Sequence, residues 1–218
     1  MEALHNQGYK FTTDFFDSNS SSWKCVIDSL KPEKYLEIGT FEGKSLFFLI
    51  ESLGLRNGGE RSVEVHCCDT WGGGIEHKKK KIYEMDSVEQ TFLQNLSVAK
   101  NKFGENLDAI IHKECSSSCL PRLLADGKRS YFDMIYIDGS HQAADVLFDA
   151  VVSFELLKEM GVLIFDDYLW HEKDMPDGID VLRSPKIAID SFLNIYARKI
   201  KIIDLFPLRQ IYVYKIQP

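Results

Sequence analysis

The residues of this chain best suited to chemistry are four aspartates, each of which ends an apolar run typical of a buried strand. Asp69 ends one run, Asp138 ends the run YFDMIYI, and Asp166 and Asp167 end the run VLIF. Because the carboxyl ends of parallel strands meet at one edge of a sheet, we expect these side chains to converge there. The alternative is that they cap helices or lie apart in solvent.

Convergent carboxylates suggest a bound cation. Asp138, Asp166 and Asp167 would repel one another unless a cation or bound protons lay among them. All of their ligand atoms are oxygens, which favours Mg²⁺ or Ca²⁺ over Zn²⁺. His141, in the segment Asp-Gly-Ser-His that starts at Asp138, is a candidate base because imidazole titrates near neutral pH. Its alternative role is in the N-terminal cap region of the following helix.

A second candidate site element is the segment KYLEIGTFEGKS, Lys34–Ser45, which has the pattern of a strand, a turn and a helix. Gly39 and Gly43 bracket a turn in which the missing side chains would let backbone N–H groups approach a ligand. Glu37 is a carboxylate inside a buried strand, so it is either a ligand contact or a paired structural group. The spacing departs from the dinucleotide fingerprint G-x-G-x-x-G, which argues against a nicotinamide oxidoreductase.

The loop after the second strand is rich in glycine and lysine. Asp69, at the strand end, is placed to accept hydrogen bonds from ribose hydroxyls, although it could instead cap the loop. Trp71 is a plausible wall against a flat ring. The lysine run Lys78–Lys81 is more typical of a solvated face than of a phosphate clamp.

The five cysteines do not form a recognisable framework. They are odd in number and lack C-x-x-C spacing, so we expect reduced thiols. His112, Cys115 and Cys119 could be drawn as a metal cluster, but a fourth ligand is not evident, and buried free thiols are the better interpretation.

Composition narrows the class of protein. The 218 residues are 44% hydrophobic and carry a net charge of −7, which disfavours a phosphate-binding surface for nucleic acid and fits small-molecule chemistry. Neither a membrane-length apolar run nor an N-terminal targeting pattern is evident, so the sequence predicts a cytoplasmic protein that does not bind membranes.

The elements that must position these residues form one predicted α/β domain over residues 1–218. It has an N-terminal helical extension (1–31), in which residues 1–14 are unpatterned and Phe15–Leu30 is helical. Strands and helices then alternate, and Tyr168–Pro185 is long enough to be a substrate lid. Further predicted elements are a helix over Ala143–Met160, a helix over Lys186–Tyr196, and strands over Lys199–Leu205 and Arg209–Ile216 that could pair as an antiparallel hairpin.

The motifs LEIGTFEGKS, CCDTWGG, FDMIYIDGSH and GVLIFDDY together resemble the class I S-adenosylmethionine-dependent methyltransferases, over about Tyr35 to Tyr214. Within that superfamily the chain is most similar to the small-molecule O-methyltransferases and the cephalosporin-hydroxylase-like group. The resemblance implies a three-layer Rossmann-like sandwich with a mostly parallel seven-stranded sheet and an antiparallel last strand.

The resemblance also implies roles for individual residues. Asp138, Asp166 and Asp167 match the positions that hold Mg²⁺ in the metal-dependent members. With His141 as the candidate base named above, Asp138 and His141 are the residues expected to act on a hydroxyl of a small acceptor. Family members often have Asp at the position of Cys115, so this chain departs from the pattern at the adenine contact. The implied S-adenosylmethionine contacts are Glu37, Gly39, Thr40, Gly43, Asp69, Trp71, Cys115, Ser116 and Asp138.

Two other functions stay open at this point. The chain could bind S-adenosylmethionine or another nucleotide without catalysis, or it could methylate a macromolecule. The acidic balance and the carboxylate triad favour a small hydroxylated acceptor. Assembly into a homo-oligomer is left open.

Overall fold

A computed structural model describes residues 2–75, 83–172, 178–204 and 207–217. The predicted lysine run Lys78–Lys81 and part of the predicted lid, residues 173–177, lie outside the described residues. No helix in the described ranges is long and apolar enough to cross a membrane.

The described residues form a seven-stranded sheet in the order β3-β2-β1-β4-β5-β7-β6. All neighbouring pairs from β3 to β5 are parallel, whereas β7 runs antiparallel to both β5 and β6. This confirms the predicted sheet with its antiparallel last strand. The strands are β1 Lys34–Ile38, β2 Val63–Cys68, β3 Leu107–His112, β4 Phe132–Ile137, β5 Leu157–Phe165, β6 Ile200–Ile202 and β7 Ile211–Lys215.

Helices cover both faces of the sheet, because alternate strand residues are apolar on each side. The helices are α1 Glu2–His5, α2 Ser20–Leu30, α3 Lys44–Ser52, α4 Met85–Phe103, α5 Ser116–Ala125, α6 Ala143–Leu156 and α7 Pro185–Ile195. Helices α2, α3 and α4 pack on the sheet face that carries Tyr35, Val65 and Tyr136. Helices α5, α6 and α7 pack on the face that carries Leu36, Ile135 and Leu163.

Several element boundaries differ from the predictions, most of all at the helix before β5 and at the N-terminus. Helix α6 ends at Leu156 rather than Met160, because β5 already begins at Leu157, which pairs with Phe132 across an irregularity in the register. Met160 has a positive φ of 62°, which no helix accommodates. At the N-terminus, α1 lies within the stretch predicted to be unpatterned, and the long helix begins at Ser20 after a 3₁₀ turn over Asp17–Asn19.

The register of the sheet brings the strand ends together. Ile38 at the end of β1 pairs with Cys68 and with Ile137, and Ile137 in turn pairs with Phe165. The residues that follow these strand ends are Gly39, Asp69, Asp138 and Asp166, which therefore emerge side by side at the carboxyl edge.

Candidate active site

A cleft of about 1280 Å³ runs along this carboxyl edge. It exceeds the roughly 300–1,000 Å³ typical of a pocket for one small molecule, so it has room for a cofactor beside an acceptor. Among the predicted site residues, those that line it are Gly39, Thr40, Asp69, Cys115, Ser116, Asp138, His141, Asp166 and Asp167.

The two glycines of the turn are required for different reasons. Gly39 has a φ of +86°, and a Cβ there would lie 2.0 Å from the carbonyl oxygen of Asp138. Gly43 has a φ of +80°, and its Cβ would lie 2.5 Å from the ring of Phe47. Gly39 thus lets the β1 turn pass against the end of β4 at the cleft. Gly43 packs at the start of α3 and does not line the cleft.

Glu37 lies beneath the cleft rather than in its wall. Its side chain is fully buried, and one carboxylate oxygen accepts a hydrogen bond from the hydroxyl of Ser45. Burial raises the pKa of Glu37 to about 8, against the opposing effect of that hydrogen bond. Ser45, which does line the cleft, was not singled out by the sequence analysis. Glu37, predicted to contact a cofactor, therefore does not line the cleft, whereas its hydrogen-bond donor Ser45 does.

Asp69 ties the glycine turn to the end of β2. Its Oδ2 accepts from the backbone N–H of Phe41 at 2.9 Å, and its Oδ1 accepts from the backbone N–H of Trp71 at 2.7 Å. Burial raises the pKa of Asp69, while these backbone hydrogen bonds oppose the rise. The carboxylate is held rigidly at the cleft surface and retains lone pairs for further donors.

Trp71 differs from its predicted role. The indole is 4% exposed, its Nε1 donates to the carbonyl oxygen of Phe41 at 2.9 Å, and its ring lies 5.0 Å from that of Phe92. Trp71 is part of the core and does not line the cleft, so it is not placed as a wall against a ligand ring.

The end of the cleft beyond β3 is formed by Cys115 and Ser116 at the start of α5. The Cys115 thiol is exposed and lies 3.2 Å from the hydroxyl of Ser117 and 3.3 Å from that of Ser118. These hydrogen bonds lower the pKa of Cys115. The position therefore offers a polar contact, although the side chain is not the carboxylate implied by the family pattern.

The opposite end of the cleft holds the carboxylates. The hydroxyl of Tyr136 lies 3.0 Å from Oδ2 of Asp138 and also contacts Oδ2 of Asp166. Burial and the repulsion between the neighbouring acids raise the pKa of Asp138 and raise that of Asp166 to about 6. This end of the cleft therefore favours a cation or bound protons.

Asp167 belongs to a separate pair. Its Oδ2 lies 2.8 Å from Nε2 of His141, whose ring stacks on Trp170 at 4.0 Å between centroids. Since a carboxylate only accepts hydrogen bonds, Nε2 of His141 carries a proton. Asp167 and Trp170 thus fix the orientation of the His141 ring.

A family model described as "Methyltransferase domain" matches residues 36–168. The chain belongs to this methyltransferase family. The match spans the glycine turn, Asp69, His141 and the acids after β5, so every predicted site residue lies within it.

Part of the chain also matches an individual protein. A curated relative, uncharacterized protein R132 of Acanthamoeba polyphaga mimivirus, is 28% identical over 145 residues, which are 65% of this chain. The alignment spans 56% of that relative's length.

Solved structures share the fold. The O-methyltransferase TomG of Streptomyces achromogenes, involved in tomaymycin synthesis and bound to SAM, superposes with a TM-score of 0.60 at 15% identity, covering 91% of this chain and 80% of TomG. An O-methyltransferase of Bacillus cereus in complex with SAH superposes with a TM-score of 0.59 at 16% identity, covering 98% of this chain and 89% of that chain.

The carboxylate oxygens of Asp138, Asp166 and Asp167 suit a hard cation in this methyltransferase, but the three side chains do not converge as metal ligands would. In the described part of the chain, neither Asp138 nor Asp166 forms an ion pair with a lysine or arginine. Their oxygens and those of Asp167 do not all lie within 4.8 Å of one another. The three acids of the predicted triad are therefore not a preformed cage for a cation.

A different trio does converge. Possible ligand atoms of His112, Glu114 and Cys119 lie within 4.8 Å of one another. The cluster considered from the sequence had Cys115 in the place of Glu114. However, Arg122 lies 3.1 Å from Nδ1 of His112 and forms an ion pair with Glu114. His66 occupies the other nitrogen of His112 at 2.9 Å. A guanidinium thus already serves as the cation of this cluster.

Proposed function

We propose that this protein is an S-adenosylmethionine-dependent O-methyltransferase that acts on a hydroxyl group of a small molecule with the help of Mg²⁺. The observation that carries the proposal is the arrangement of one cleft with two unlike walls. The Gly39 turn and Asp69 form one wall, and His141 with the acids of β4 and β5 forms the other.

The first wall has the features of a cofactor site. Gly39 removes a side chain where the turn meets the cleft, Thr40 and Ser45 offer hydroxyls, and Asp69 offers acceptor atoms suited to a ribose diol. Cys115 and Ser116 would face the adenine ring of the cofactor. The presence of SAM in TomG and of SAH in the Bacillus cereus enzyme, which share the fold, supports this assignment.

The second wall would prepare the acceptor. When bound, S-adenosylmethionine supplies a methyl group on a positively charged sulfur, and an acceptor oxygen must approach in line with that bond. His141 would take the hydroxyl proton, and Asp167 would stabilise the resulting imidazolium. Holding the two reactants in near-attack geometry can contribute roughly 7–11 kcal/mol to the lowering of the barrier.

Mg²⁺ would be held by Asp138, Asp166 and, if it exchanges its contact with His141, Asp167. When bound, the ion would polarise the acceptor hydroxyl and lower its pKa. Asp167 therefore has two competing uses, as an orienting group for His141 and as a metal ligand. The 2.8 Å contact between Asp167 and His141 favours the orienting role.

The test is transfer of a labelled methyl group from S-adenosylmethionine to a panel of phenols, sugars and hydroxylated polyketides, with mass spectrometry to locate the new O–CH₃ bond. We expect turnover with at least one acceptor and its loss in His141→Gln. Binding of SAH without turnover on any small or macromolecular acceptor would favour a non-catalytic binding module instead.

A further inference from the structure

Tyr136 joins the two carboxylates that come from neighbouring strands. Its ring is 1% exposed in the core, whereas its hydroxyl reaches Asp138 at the end of β4 and Asp166 at the end of β5. One phenolic hydroxyl therefore lies between the two acids of the second wall of the cleft.

A hydrogen-bond chain fixes the direction of this hydroxyl. Nε1 of Trp23 lies 3.0 Å from the side-chain amide of Gln210, and since an indole N–H only donates, that amide atom must be the oxygen. Tyr212 also donates to this oxygen. The NH₂ group of Gln210 then faces the Tyr136 hydroxyl at 3.3 Å. Tyr136 accepts from Gln210, so its single proton is directed at the carboxylates.

We propose that Tyr136, oriented by Gln210, is a positioning residue that sets the spacing and orientation of Asp138 and Asp166 for a divalent cation. This inference rests on the proposed function. The hydroxyl supplies one donor for two carboxylates, so it keeps them together and leaves their remaining oxygens directed at the cleft. The Tyr136 hydroxyl itself is not a ligand and takes part in no proton transfer to the acceptor.

The hydroxyl can be separated from the packing of the ring. The Tyr136 ring meets Trp23 edge to face at 4.8 Å between centroids, and a phenylalanine keeps that contact. Tyr9 offers a matched control, because it is also a buried tyrosine whose hydroxyl donates to a carboxylate, that of Glu51 at 2.8 Å, away from the acids of the cleft.

The experiment measures Mn²⁺ binding to the full-length chain by electron paramagnetic resonance, with Mn²⁺ as the probe for a hard cation. In Tyr136→Phe we expect Mn²⁺ affinity to fall by roughly 10–100-fold, the usual effect of removing a group that orients metal ligands. Tyr9→Phe should bind Mn²⁺ like the wild type, and both variants should bind SAH normally. Gln210→Leu, which removes the donor that orients Tyr136, should also weaken Mn²⁺ binding and serves if Tyr136→Phe does not fold.

The outcomes separate this inference from the proposed function. Suppose that the wild type binds Mn²⁺. If Tyr136→Phe or a folded Gln210→Leu then binds Mn²⁺ as tightly as the wild type, the positioning role alone is overturned. A wild type that binds SAH but no Mn²⁺ overturns both the positioning role and Mg²⁺ assistance. A wild type that does not bind SAH contradicts the cofactor assignment.

Discussion

Nε2 of His141 lies 2.8 Å from Oδ2 of Asp167, and the imidazole is stacked on Trp170. His141 lies in the loop that follows β4, and Asp167 lies just after β5, the neighbour of β4 in the sheet. In the proposed function this imidazole is the general base, and the carboxylate orients it and would stabilise its protonated form.

This pair predicts the effect of replacing His141. His141→Gln should lower kcat by roughly 10²–10⁴-fold, the usual contribution of a general base, without changing the affinity for SAH. His171→Gln is the matched control, since His171 is exposed and hydrogen-bonds to the carbonyl oxygen of Leu169. Steady-state kinetics in which His141→Gln keeps wild-type kcat would contradict the assignment.

Asp166 predicts a dependence on metal. Asp166→Ala should abolish methyl transfer and spare SAH binding, because Asp166 lies on the acceptor wall. A chelator should inactivate the wild type, and Mg²⁺ should restore it. Asp108→Ala, at an exposed strand position, is the control. Full activity of Asp166→Ala in excess chelator would rule out the metal model.

Glu37 predicts a dependence of stability on pH. Its pKa is raised from 4.5 to about 8 in the folded chain, so between these values the native state holds a proton that the unfolded state releases. The free energy of unfolding is therefore highest near and below pH 4.5 and falls as the pH rises towards 8, by up to about 4 kcal/mol from this group.

Glu37→Gln should remove that part of the pH dependence and make the chain more stable than the wild type at pH 8. Urea unfolding at pH 5 and pH 8 measures the difference, with the exposed Glu60→Gln as the control. An unchanged slope in Glu37→Gln would show that Glu37 ionises normally.

We expect replacement of Trp71 to lower the stability of the protein without lowering its affinity for SAH. Trp71→Phe removes the hydrogen bond from the buried indole to the carbonyl oxygen of Phe41, at a cost of about 0.5–1.5 kcal/mol. Calorimetric titration with SAH should give wild-type affinity. A large loss of affinity for SAH in a folded Trp71→Phe would indicate that Trp71 contributes to the cofactor site, as the sequence predicts.

The sequence was sufficient to predict the sheet and the strand ends that carry the acids. Apolar runs that stop at Asp69, Asp138 and Asp166 indicate strand ends, and parallel pairing places strand ends at one edge. The spacing of the last two strand segments allowed an antiparallel β7 between β5 and β6 but did not require it. The register of a strand depends on contacts with distant segments.

The details that could not be predicted depend on loop conformation and on long-range contacts. Trp71 has a positive φ of 46°, which turns its ring into the core, and local sequence does not specify that turn. Gln210 meets Tyr136 across 74 residues of sequence, so neither residue carries a local signal of the contact. Glu37 was singled out correctly as unusual, but only the fold shows that Ser45 stands between it and the cleft.

The central claim, a cofactor site at the Gly39 turn, is tested most directly by calorimetric titration of SAH into the wild type and Gly39→Val. A Cβ at Gly39 would lie 2.0 Å from the carbonyl oxygen of Asp138, so the side chain must force the two walls apart. Gly127→Val is the control, because Gly127 also has a positive φ of 81° but no atom within 4 Å of its Cβ position. We predict stoichiometric binding by the wild type and by Gly127→Val, and a loss of roughly tenfold or more, about 1.4 kcal/mol, in Gly39→Val. A wild type that does not bind SAH, or a Gly39→Val that binds it equally well, would contradict the account.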